Sequence, residues 1–361
     1  MSGEVSLGSS FSTFEEQDKV LVGLSGGVDS SVCIQILKEQ GFDVSAVFIR
    51  FSPAHDSSME AARAVAQQFG IPFSVEDCTE LFESQVIEPF CAAYCRGETP
   101  SPCVLCNPNV KFKVLANVAD RMGIRFIATG HYARVCEKDG VFYISRAASA
   151  DRDQSYMLYR LPQEILQRLC LPVGEFEKAD IREMAHSLGL VSADSPDSQE
   201  ICFIPDGDYA AFISKRGLSD KTGKFIGPKG EDFGPHKGVS HYTIGQRKGL
   251  NIAYGQPIFV RRILENGDIQ LALAGDELFY SGIRIHETVR TDQKTFSVGE
   301  KYFVKIRSRA VPAPCIVESV DKDELVLHFE QPLRAPAPGQ SAVLYSDETV
   351  VGGGIICEIF E

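Results

Sequence analysis

The sequence predicts an α/β protein with a parallel-sheet domain first, then a small mixed domain, and a β-barrel at its C-terminal end. As far as about residue 205, short apolar segments alternate with helical patterns, which is typical of a parallel sheet with crossover helices. Gly and Pro then recur and helical patterns become scarce. Beyond residue 280, alternating apolar and polar segments recur at regular spacing, as in small barrels. The predicted segments are a flexible tail and three domains, at residues 1–18, 19–205, 206–278 and 279–361.

Two periodicities predict the elements of the first domain. Short apolar runs indicate buried strands, whereas apolar residues three and four apart indicate helices. Pro89 lies inside one helical pattern and should break it, because proline cannot donate the helical hydrogen bond. In chain order we expect strand 19–24, helix 29–39, strand 43–49, helix 57–69, strand 73–76, helix 81–94, helix 107–122, strand 125–129, a hairpin of 132–136 with 141–146, and helical stretches at 154–160, 162–169 and 178–188.

The later domains are predicted to consist mainly of strands. Residues 225–275 have the texture of a small mixed module with short strands. The C-terminal strands are expected at 302–306, 315–320, 324–329, 341–345 and 349–355.

The junction between the first strand and the first helix has the composition of an anion-binding loop. Residues 25–31 read Ser-Gly-Gly-Val-Asp-Ser-Ser and follow the apolar run at 20–22. Glycines let the backbone turn several N–H groups in one direction, and a helix N-terminus adds partial positive charge. Ser25, Ser30 and Ser31 are expected to add hydroxyl donors. The sequence therefore predicts a phosphate-sized cradle, and a Walker loop is excluded because no lysine occurs between Lys19 and Lys38.

Composition places the chain among ordinary globular proteins. It has 361 residues, 44% of them apolar and 24% charged, and no apolar run long enough to cross a membrane. The first residues are polar and acidic, unlike a secretory signal or an Arg-rich transit peptide, so we expect a cytoplasmic protein. Eleven cysteines in that compartment argue against a disulfide scaffold, and most should be core residues, as Cys33 and Cys170 are expected to be.

The net charge of −13 argues by itself against a nucleic-acid partner. The charge is unevenly distributed, however, because residues 241–310 carry 11 Lys and Arg against 7 Asp and Glu. A local basic face of this kind can hold a phosphate backbone, and chance fluctuation explains it equally well.

Two cysteine segments are candidates for chemistry. Cys106 is expected to begin a helix that Asn107 caps, where the helix dipole would favour its thiolate. The spacing of Cys103 and Cys106 suits a metal, a cluster or a disulfide, and no second pair completes a zinc site. Cys202 lies within an apolar island at 201–204, where an isolated cysteine is more often a packing residue.

Taken in order, seven motifs resemble the tRNA-specific 2-thiouridylase (MnmA) family of the PP-loop ATP pyrophosphatase superfamily. The resemblance runs from about residue 19 to the C-terminus. The motifs are SGGVDSS, TPSPCVLCN, ATGHYAR, DQSY, DSQEICFI, YTIGQRKG and APGQ. It implies a PP-loop (adenine nucleotide α-hydrolase-like) first domain, and a reaction in which ATP adenylates the 2-oxo group of the wobble uridine in tRNA and sulfur then replaces that oxygen.

The resemblance also implies roles for individual residues. Cys202 would carry the sulfur as a persulfide, Cys106 would be the nucleophile that attacks it and can end in a disulfide with it, and Asp29 would be catalytic. ATP, with Mg²⁺, would be bound by Gly23, Leu24, Ser25, Gly26, Gly27, Val28, Asp29, Ser30, Ile49 and Gly130. The tRNA would be contacted by Ser101, Pro102 and Cys103 near the flipped target base, and by His131, Arg152, Asp153, Gln154, Arg307, Ser308 and Gln340. A cysteine desulfurase or a sulfur-carrier protein would be the donor, and we expect a monomer without a membrane partner.

The chain departs from the family pattern at three places. Some members carry Asp where this chain has Cys103, so Cys103, Cys106 and Cys202 can also be read as ligands of an iron–sulfur cluster. A persulfide relay without metal and a cluster-assisted transfer therefore both stay open. Residues 51–58 are shorter than the Trp-containing loop of many members, and Arg152 replaces the more usual lysine.

Two rival functions compete with sulfur transfer. Another PP-loop ligase that adenylates a small molecule would explain residues 19–135 equally well, but not the pairing of Cys106 with Cys202 or the C-terminal strands. An ATP-binding redox or metal sensor that uses the Cys-x-x-Cys pair would not be an enzyme at all. Release of pyrophosphate that rises with unmodified tRNA would exclude the sensor.

Overall fold

The computed structural model describes residues 18–194 and 201–361. The expected tail at 1–18 therefore lies almost wholly outside the described residues, as do residues 197–200 of the DSQEICFI motif. The described residues divide into two compact units: residues 18–85, 103–194 and 347–351 belong to the first, and residues 86–102, 201–346 and 352–361 belong to the second. Among the helices described, none combines the length and the apolar character needed to cross a membrane.

The α-helices of the described residues follow the periodicity of the sequence closely. They are α1 Val28–Glu39, α2 Asp56–Phe69, α3 Thr79–Phe82, α4 Glu88–Cys95, α5 Pro102–Cys106, α6 Phe112–Arg121, α7 Gln163–Leu166, α8 Lys178–Ser187 and α9 Tyr209–Lys215. Single π-helical turns at Glu83–Ile87 and Asn107–Lys111 join α3 to α4 and α5 to α6. Short 3₁₀ turns lie at Pro53–His55, Ala150–Arg152, Ser155–Leu158, Pro172–Glu175, Val239–His241 and Asp276–Leu278.

The strands fall into a parallel set, a mixed set and an antiparallel set. They are β1 Lys19–Gly23, β2 Asp43–Arg50, β3 Phe73–Asp77, β4 Phe126–Thr129, β5 Ala133–Lys138, β6 Val141–Arg146, β7 Leu169–Cys170, β8 Lys224–Ile226, β9 Asp232–Pro235, β10 Ile258–Ile263, β11 Ile269–Leu273, β12 Phe279–Arg290, β13 Lys301–Lys305, β14 Ala313–Asp321, β15 Glu324–Arg334, β16 Ser341–Ser346 and β17 Thr349–Phe360.

The first unit is built on a parallel sheet of order β3-β2-β1-β4-β7. β1 lies in the middle and pairs in parallel with β2 and β4. Apolar residues of β1 and α1 share one core with Cys33 and Cys170, both of which are buried as expected. Because the strands are parallel, the loops after β1, β2 and β4 leave the same edge of the sheet.

The second unit contains a small sheet and a closed barrel. The small sheet has the order β10-β11-β8-β9. It packs on an apolar core of its own, which includes Phe225, Tyr242 and Val260. The barrel runs β12-β15-β14-β13-β16-β17, and β17 pairs back with β12 to close it. The predicted fold class is therefore confirmed.

Two strands, one helix and one helix start differ from the prediction. The helix α9 at Tyr209–Lys215 lies where the sequence indicated few helices. The sequence reasoning missed the two-residue strand β7, which is too short for a periodic signal, and the long β12, whose alternation is interrupted by bulges. It also placed a helix start at Asn107, whereas the chain is already helical from Pro102. The predicted kink before Pro89 is present as the π-helical turn that ends at Ile87.

Candidate functional site

The predicted cradle lies at the carboxyl end of β1, where the backbone needs glycine. Gly26 has φ +82°, and a Cβ there would lie 2.6 Å from the carbonyl oxygen of Ser58 in α2. Gly27 directly precedes the first residue of α1, Val28, and the amide of Leu24 donates to the carbonyl of Val47. The loop therefore turns tightly into a helix N-terminus, the local geometry that suits a phosphate.

The serines of the loop are hydrogen-bonded to one another and to the backbone. The hydroxyls of Ser25 and Ser30 lie 3.1 Å apart, and Ser30 also donates to the carbonyl of Gly27 at 3.1 Å. Ser31 is fully buried, donates to Gly27 O at 2.9 Å and accepts from Ser192 at 3.0 Å. The expectation that Ser31 offers its hydroxyl to a ligand is therefore wrong, because that hydroxyl ties α1 to the interior; Ser25 is the exposed hydroxyl.

The end of β4 reaches the same loop. A Cβ on Gly130 would lie 2.7 Å from the amide nitrogen of Ser30, so only glycine allows this approach. A Cβ on Gly23 would likewise contact Thr129, at 3.5 Å. Ile49, near the end of the neighbouring β2, is buried and pairs with Glu76. The first unit thus brings the loop and Gly130 together.

The carboxylate of Asp29, the second residue of α1, is held by two distant side chains. Lys178 Nζ lies 2.6 Å from Asp29 Oδ1, and the Tyr132 hydroxyl donates to the same oxygen at 2.7 Å. Lys178 is the first residue of α8, and its ammonium also lies 5.7 Å from the centre of the Tyr132 ring. Sequence reasoning missed Lys178, because 149 residues separate it from Asp29 and no local motif surrounds it.

His131 is buried, and both of its ring nitrogens are engaged. Lys111 Nζ lies 3.3 Å from Nε2, and Thr129 Oγ1 lies 2.7 Å from Nδ1. An ammonium can only donate, so Nε2 accepts and Nδ1 carries the proton. Burial, with the neighbouring charge of Lys111 as a smaller cause, lowers the pKa of His131 well below its usual value. His131 is therefore a neutral imidazole that accepts a hydrogen bond from Lys111. Its contact with tRNA stays a prediction.

Cys106 does not lie at a helix N-terminus. α5 begins at Pro102 and ends at Cys106, and the π-helical turn then continues directly into α6. The predicted cap is wrong, because the Asn107 side chain is buried and donates to Met157 O at 2.8 Å. The residue that follows Pro102 at the start of the helix is the exposed Cys103, whereas Cys106 is buried.

Cys202 is exposed, whereas the two residues that follow it pack into the second unit. Phe203 and Ile204 are buried, and the Phe203 ring packs edge-on to Phe90 of α4 at 5.3 Å. Phe203 also contacts Phe212 of α9, and the amide of Ile204 donates to the carbonyl of Ile201. The apolar island of the sequence therefore packs inward on both helices and leaves the thiol at the surface. No cysteine in the described part of the chain is in a disulfide.

The loop before Ser101 is fixed by the APGQ turn. Gln340 Nε2 donates to Thr99 O at 2.7 Å, and the Thr99 amide donates to Pro338 O at 2.8 Å. Gly339 has φ +87°, and a Cβ there would lie 2.8 Å from the Thr99 nitrogen. Gln340 therefore supports the backbone that leads into Ser101 and Pro102.

The DQSY motif is largely internal. Asp153 accepts hydrogen bonds from the amides of Ala147 and Ser155 and from the Ser155 hydroxyl. Gln154 Oε1 accepts from the amide of Tyr132 at 2.8 Å, and Arg152 is exposed. Residues 152–154 were all predicted to bind tRNA, and among these three Arg152 is the one whose side chain is exposed to solvent.

The basic residues of the second unit also divide into one that supports the backbone and two that are exposed to solvent. Arg307 donates to the carbonyls of Ile244 at 3.0 Å and Ala335 at 2.7 Å, so its guanidinium links two backbone segments. Ser308 is half-buried beside it. Arg247 and Lys248 of the YTIGQRKG loop are exposed, and Arg247 lines an open groove of about 610 Å³ that continues along residues 249–258.

The iron–sulfur alternative needs a group of metal-ligating side chains. Within residues 18–194 and 201–361, no three His, Cys, Asp or Glu side chains are grouped so that they could hold a metal ion. Cys103 and Cys106 belong to the first unit, and Cys202 belongs to the second. Within the described part of the first unit, Cys103 and Cys106 therefore have no third His, Cys, Asp or Glu side chain grouped with them to hold a metal ion.

Comparison with known proteins covers nearly the whole chain. Residues 18–206 match the family described as "tRNA methyl transferase HUP domain" and residues 210–269 match "tRNA methyl transferase PRC-barrel domain". Residues 281–356 match "Aminomethyltransferase beta-barrel domain". A solved complex of a 4-thiouridine synthetase with RNA and ATP is 17% identical over 55% of this chain and 50% of its own, and its TM-score of 0.36 is too low to carry an argument.

Curated relatives are much more similar. The tRNA-specific 2-thiouridylase MnmA of Carboxydothermus hydrogenoformans is 40% identical over 359 residues, which cover 94% of this chain and 97% of that protein. The proteins of the same name from Clostridium acetobutylicum and Clostridioides difficile are each 39% identical over 94% of this chain, and over 99% and 98% of their own lengths. With this identity over the full length of its relatives, and with the cradle and both candidate cysteines in the expected order, the chain belongs to the tRNA-specific 2-thiouridylase family.

Proposed function

We propose that this chain is an ATP-dependent sulfurtransferase that converts the wobble uridine of tRNA to 2-thiouridine. Its relatives bear the name of that activity, and the chain matches them along nearly their whole length. The observation that carries the proposal is the combination of a phosphate cradle after β1 with an exposed thiol, Cys202, on a turn that buried neighbours hold in place.

The first half of the reaction is adenylation. The uracil 2-oxo oxygen attacks the α-phosphorus of ATP, the bond to the β-phosphate breaks, and pyrophosphate leaves. We assign the phosphates to the segment from Gly23 to Ser30 together with Gly130, and the adenine to the backbone of Ile49. Adenylation turns a poor leaving group into AMP.

Mg²⁺ fits the cradle as a companion of ATP. Asp29 is the carboxylate there, and a single carboxylate with phosphate oxygens and waters is a usual donor set for this ion. When bound, the ion would shield the charge of the phosphates.

The second half is sulfur transfer. The Cys106 thiolate attacks the inner sulfur of a Cys202 persulfide, a Cys106–Cys202 disulfide forms, and hydrosulfide leaves. Hydrosulfide then adds to C2 of the uracil, the C–O bond breaks, and AMP departs. A thiol reductant returns the disulfide to two thiols. We favour this relay over a cluster, because Cys103 and Cys106 have no third metal-ligating side chain grouped with them in the described part of the first unit.

The remaining assignments are part of the same proposal. The sulfur of the persulfide comes from a cysteine desulfurase or a sulfur-carrier protein, and the enzyme acts as a cytoplasmic monomer. Residues 19–205, 206–278 and 279–361 are its three functional domains. The tRNA is held by Ser101–Cys103, His131, Arg152–Gln154, Arg307–Ser308 and Gln340, several of which support neighbouring backbone.

Single-turnover thiolation with Cys202→Ser and Cys106→Ser tests the function, with Cys357→Ser as the control. Cys357 is also exposed but lies on the barrel strand β17, outside every predicted site. We expect C202S and C106S to lose 2-thiouridine formation while tRNA still stimulates pyrophosphate release, and C357S to match the wild type. Full thiolation by C202S would overturn the proposal, and pyrophosphate release that ignores tRNA would favour a small-molecule ligase.

A further inference from the structure

Lys178 places its ammonium group against the cradle, and no role has yet been assigned to it. Lys178 Nζ and Asp29 Oδ1 are 2.6 Å apart, and their side chains are only 12% and 32% exposed. Asp29 is the second residue of α1, so the pair lies at the helix end that the glycine loop opens. No motif of the sequence includes Lys178.

The charge balance of the cradle depends on this lysine. A carboxylate within an anion-binding loop repels a polyphosphate, and charges a few ångströms apart interact strongly when they are shielded from solvent. Lys178 offsets the charge of Asp29. The hydroxyl of Tyr132 donates to the same carboxylate oxygen, so Asp29 keeps one partner if the lysine moves away.

The backbone that carries Lys178 is firmly placed, and its side chain is long. Ile181 and Ala185 of α8 are completely buried in the same core as α1. The side chain at position 178 leaves the first turn of that helix, and its four-carbon chain lets the ammonium exchange partners by rotation without any movement of the helix.

We propose that Lys178 is a ligand of the β- and γ-phosphates of ATP, and that it exchanges Asp29 for these oxygens when the nucleotide binds. The proposal rests on the function proposed above. Adenylation breaks the bond between the α- and β-phosphates, and the departing pyrophosphate takes the electron pair of that bond. An ammonium beside those oxygens stabilises the additional charge as it develops.

Direct binding measurements test the assignment without any thiolation step. Dissociation constants for ATP, pyrophosphate and AMP are measured by calorimetry on the wild type, Lys178→Met and Lys178→Arg. We expect K178M to weaken ATP and pyrophosphate roughly tenfold or more, which is usual for a lost charge-assisted hydrogen bond, with little change for AMP. K178R should retain most of the affinity for all three.

A double variant separates a phosphate ligand from a lysine that only neutralises Asp29. If neutralisation were its whole role, Asp29→Asn combined with Lys178→Met would restore pyrophosphate binding, and that result would overturn the proposal. We expect no restoration. Lys224→Met is the matched control, since Lys224 also pairs with an aspartate, Asp232 at 2.7 Å, but belongs to the second unit, whereas the cradle belongs to the first.

The remaining outcomes are also decisive. Thermal unfolding is followed for each variant, and Lys178→Gln replaces K178M if the latter does not fold. A wild type that binds neither ATP nor pyrophosphate contradicts the proposed function itself. A wild type that binds both, with K178M binding pyrophosphate equally well, refutes only the role of Lys178.

Discussion

The ammonium of Lys111 lies 3.3 Å from Nε2 of His131, and this contact determines the protonation state of a buried histidine. Because the lysine can only donate, the imidazole is neutral with its proton on Nδ1, which faces the Thr129 hydroxyl at 2.7 Å. Burial and the neighbouring charge of Lys111 both disfavour a second proton on the imidazole. The relationship makes His131 a support for Lys111 beside Gly130 of the cradle.

His131 should make the stability of the protein depend on pH. Its folded pKa lies well below the ordinary value of 6.5, so below pH 6.5 the unfolded chain takes up a proton that the folded chain refuses. The contribution of His131 is complete above pH 6.5 and is lost as the pH falls below that value. Between pH 6.5 and 5 the loss can reach about 2 kcal/mol.

Urea unfolding at several pH values measures this effect. The wild type should lose stability between pH 6.5 and 5, and His131→Gln should lose measurably less over the same interval. His328→Gln, at an exposed position of β15, should behave as the wild type. Identical pH profiles for the wild type and H131Q would contradict the assignment.

Gly339→Ala should cost stability because of a close contact and not only because of its backbone angle. A methyl group there would lie 2.8 Å from the Thr99 nitrogen, at φ +87°. Gly299 has φ +88° with nothing within 4 Å, so G299A isolates the cost of the angle. We expect G339A to be less stable than G299A by about 1–3 kcal/mol in urea unfolding, as is usual for overpacking. Equal costs would show that the loop before Ser101 adapts freely.

Asp153→Ala should destabilise the fold strongly. The carboxylate is buried and accepts hydrogen bonds from two amides and a hydroxyl, all of which would lose this acceptor. We expect a loss of about 2–4 kcal/mol in thermal or urea unfolding, against almost none for Asp151→Ala at the neighbouring exposed position. If D153A instead kept its stability and lost only tRNA affinity, Asp153 would be a ligand contact and not a support.

Much of the fold could be predicted because its signals are local. The first five elements end within one or two residues of their predicted limits, since apolar periodicity fixes both their type and their buried face. The cradle was predictable for the same reason: two glycines between a strand and a helix leave few other conformations.

The errors arise where tertiary contacts decide. The sequence indicated Asn107 as a helix cap, yet a π-helical turn at Asn107–Lys111 accommodates Pro108 inside a continuous helix. Ser31 is the same residue type as the exposed Ser25, and only the structure shows that its hydroxyl is buried against Ser192. Lys178 meets Asp29 across 149 residues, a distance that no local pattern spans.

Arg247 and Arg307 should respond differently to substitution, although both belong to the basic segment 241–310 that could hold a phosphate backbone. Arg247 is exposed and lines the groove along residues 249–258, whereas Arg307 donates to the carbonyls of Ile244 and Ala335. If Arg247 neutralises a tRNA phosphate, Arg247→Ala should flatten the plot of log affinity against log salt by about 0.7–0.9. Arg307→Ala should mainly lower the unfolding temperature, because two carbonyls lose their donor.

Titration of tRNA at several salt concentrations, paired with thermal unfolding of each variant, separates the two roles. Lys322→Ala is the control, since Lys322 is exposed in the turn between β14 and β15. It should change neither the slope nor the unfolding temperature. A wild-type affinity independent of salt would exclude phosphate anchoring by Arg247. An R307A variant of unchanged stability that still flattens the slope would return Arg307 to the tRNA interface, because a guanidinium committed to backbone carbonyls cannot be removed without cost.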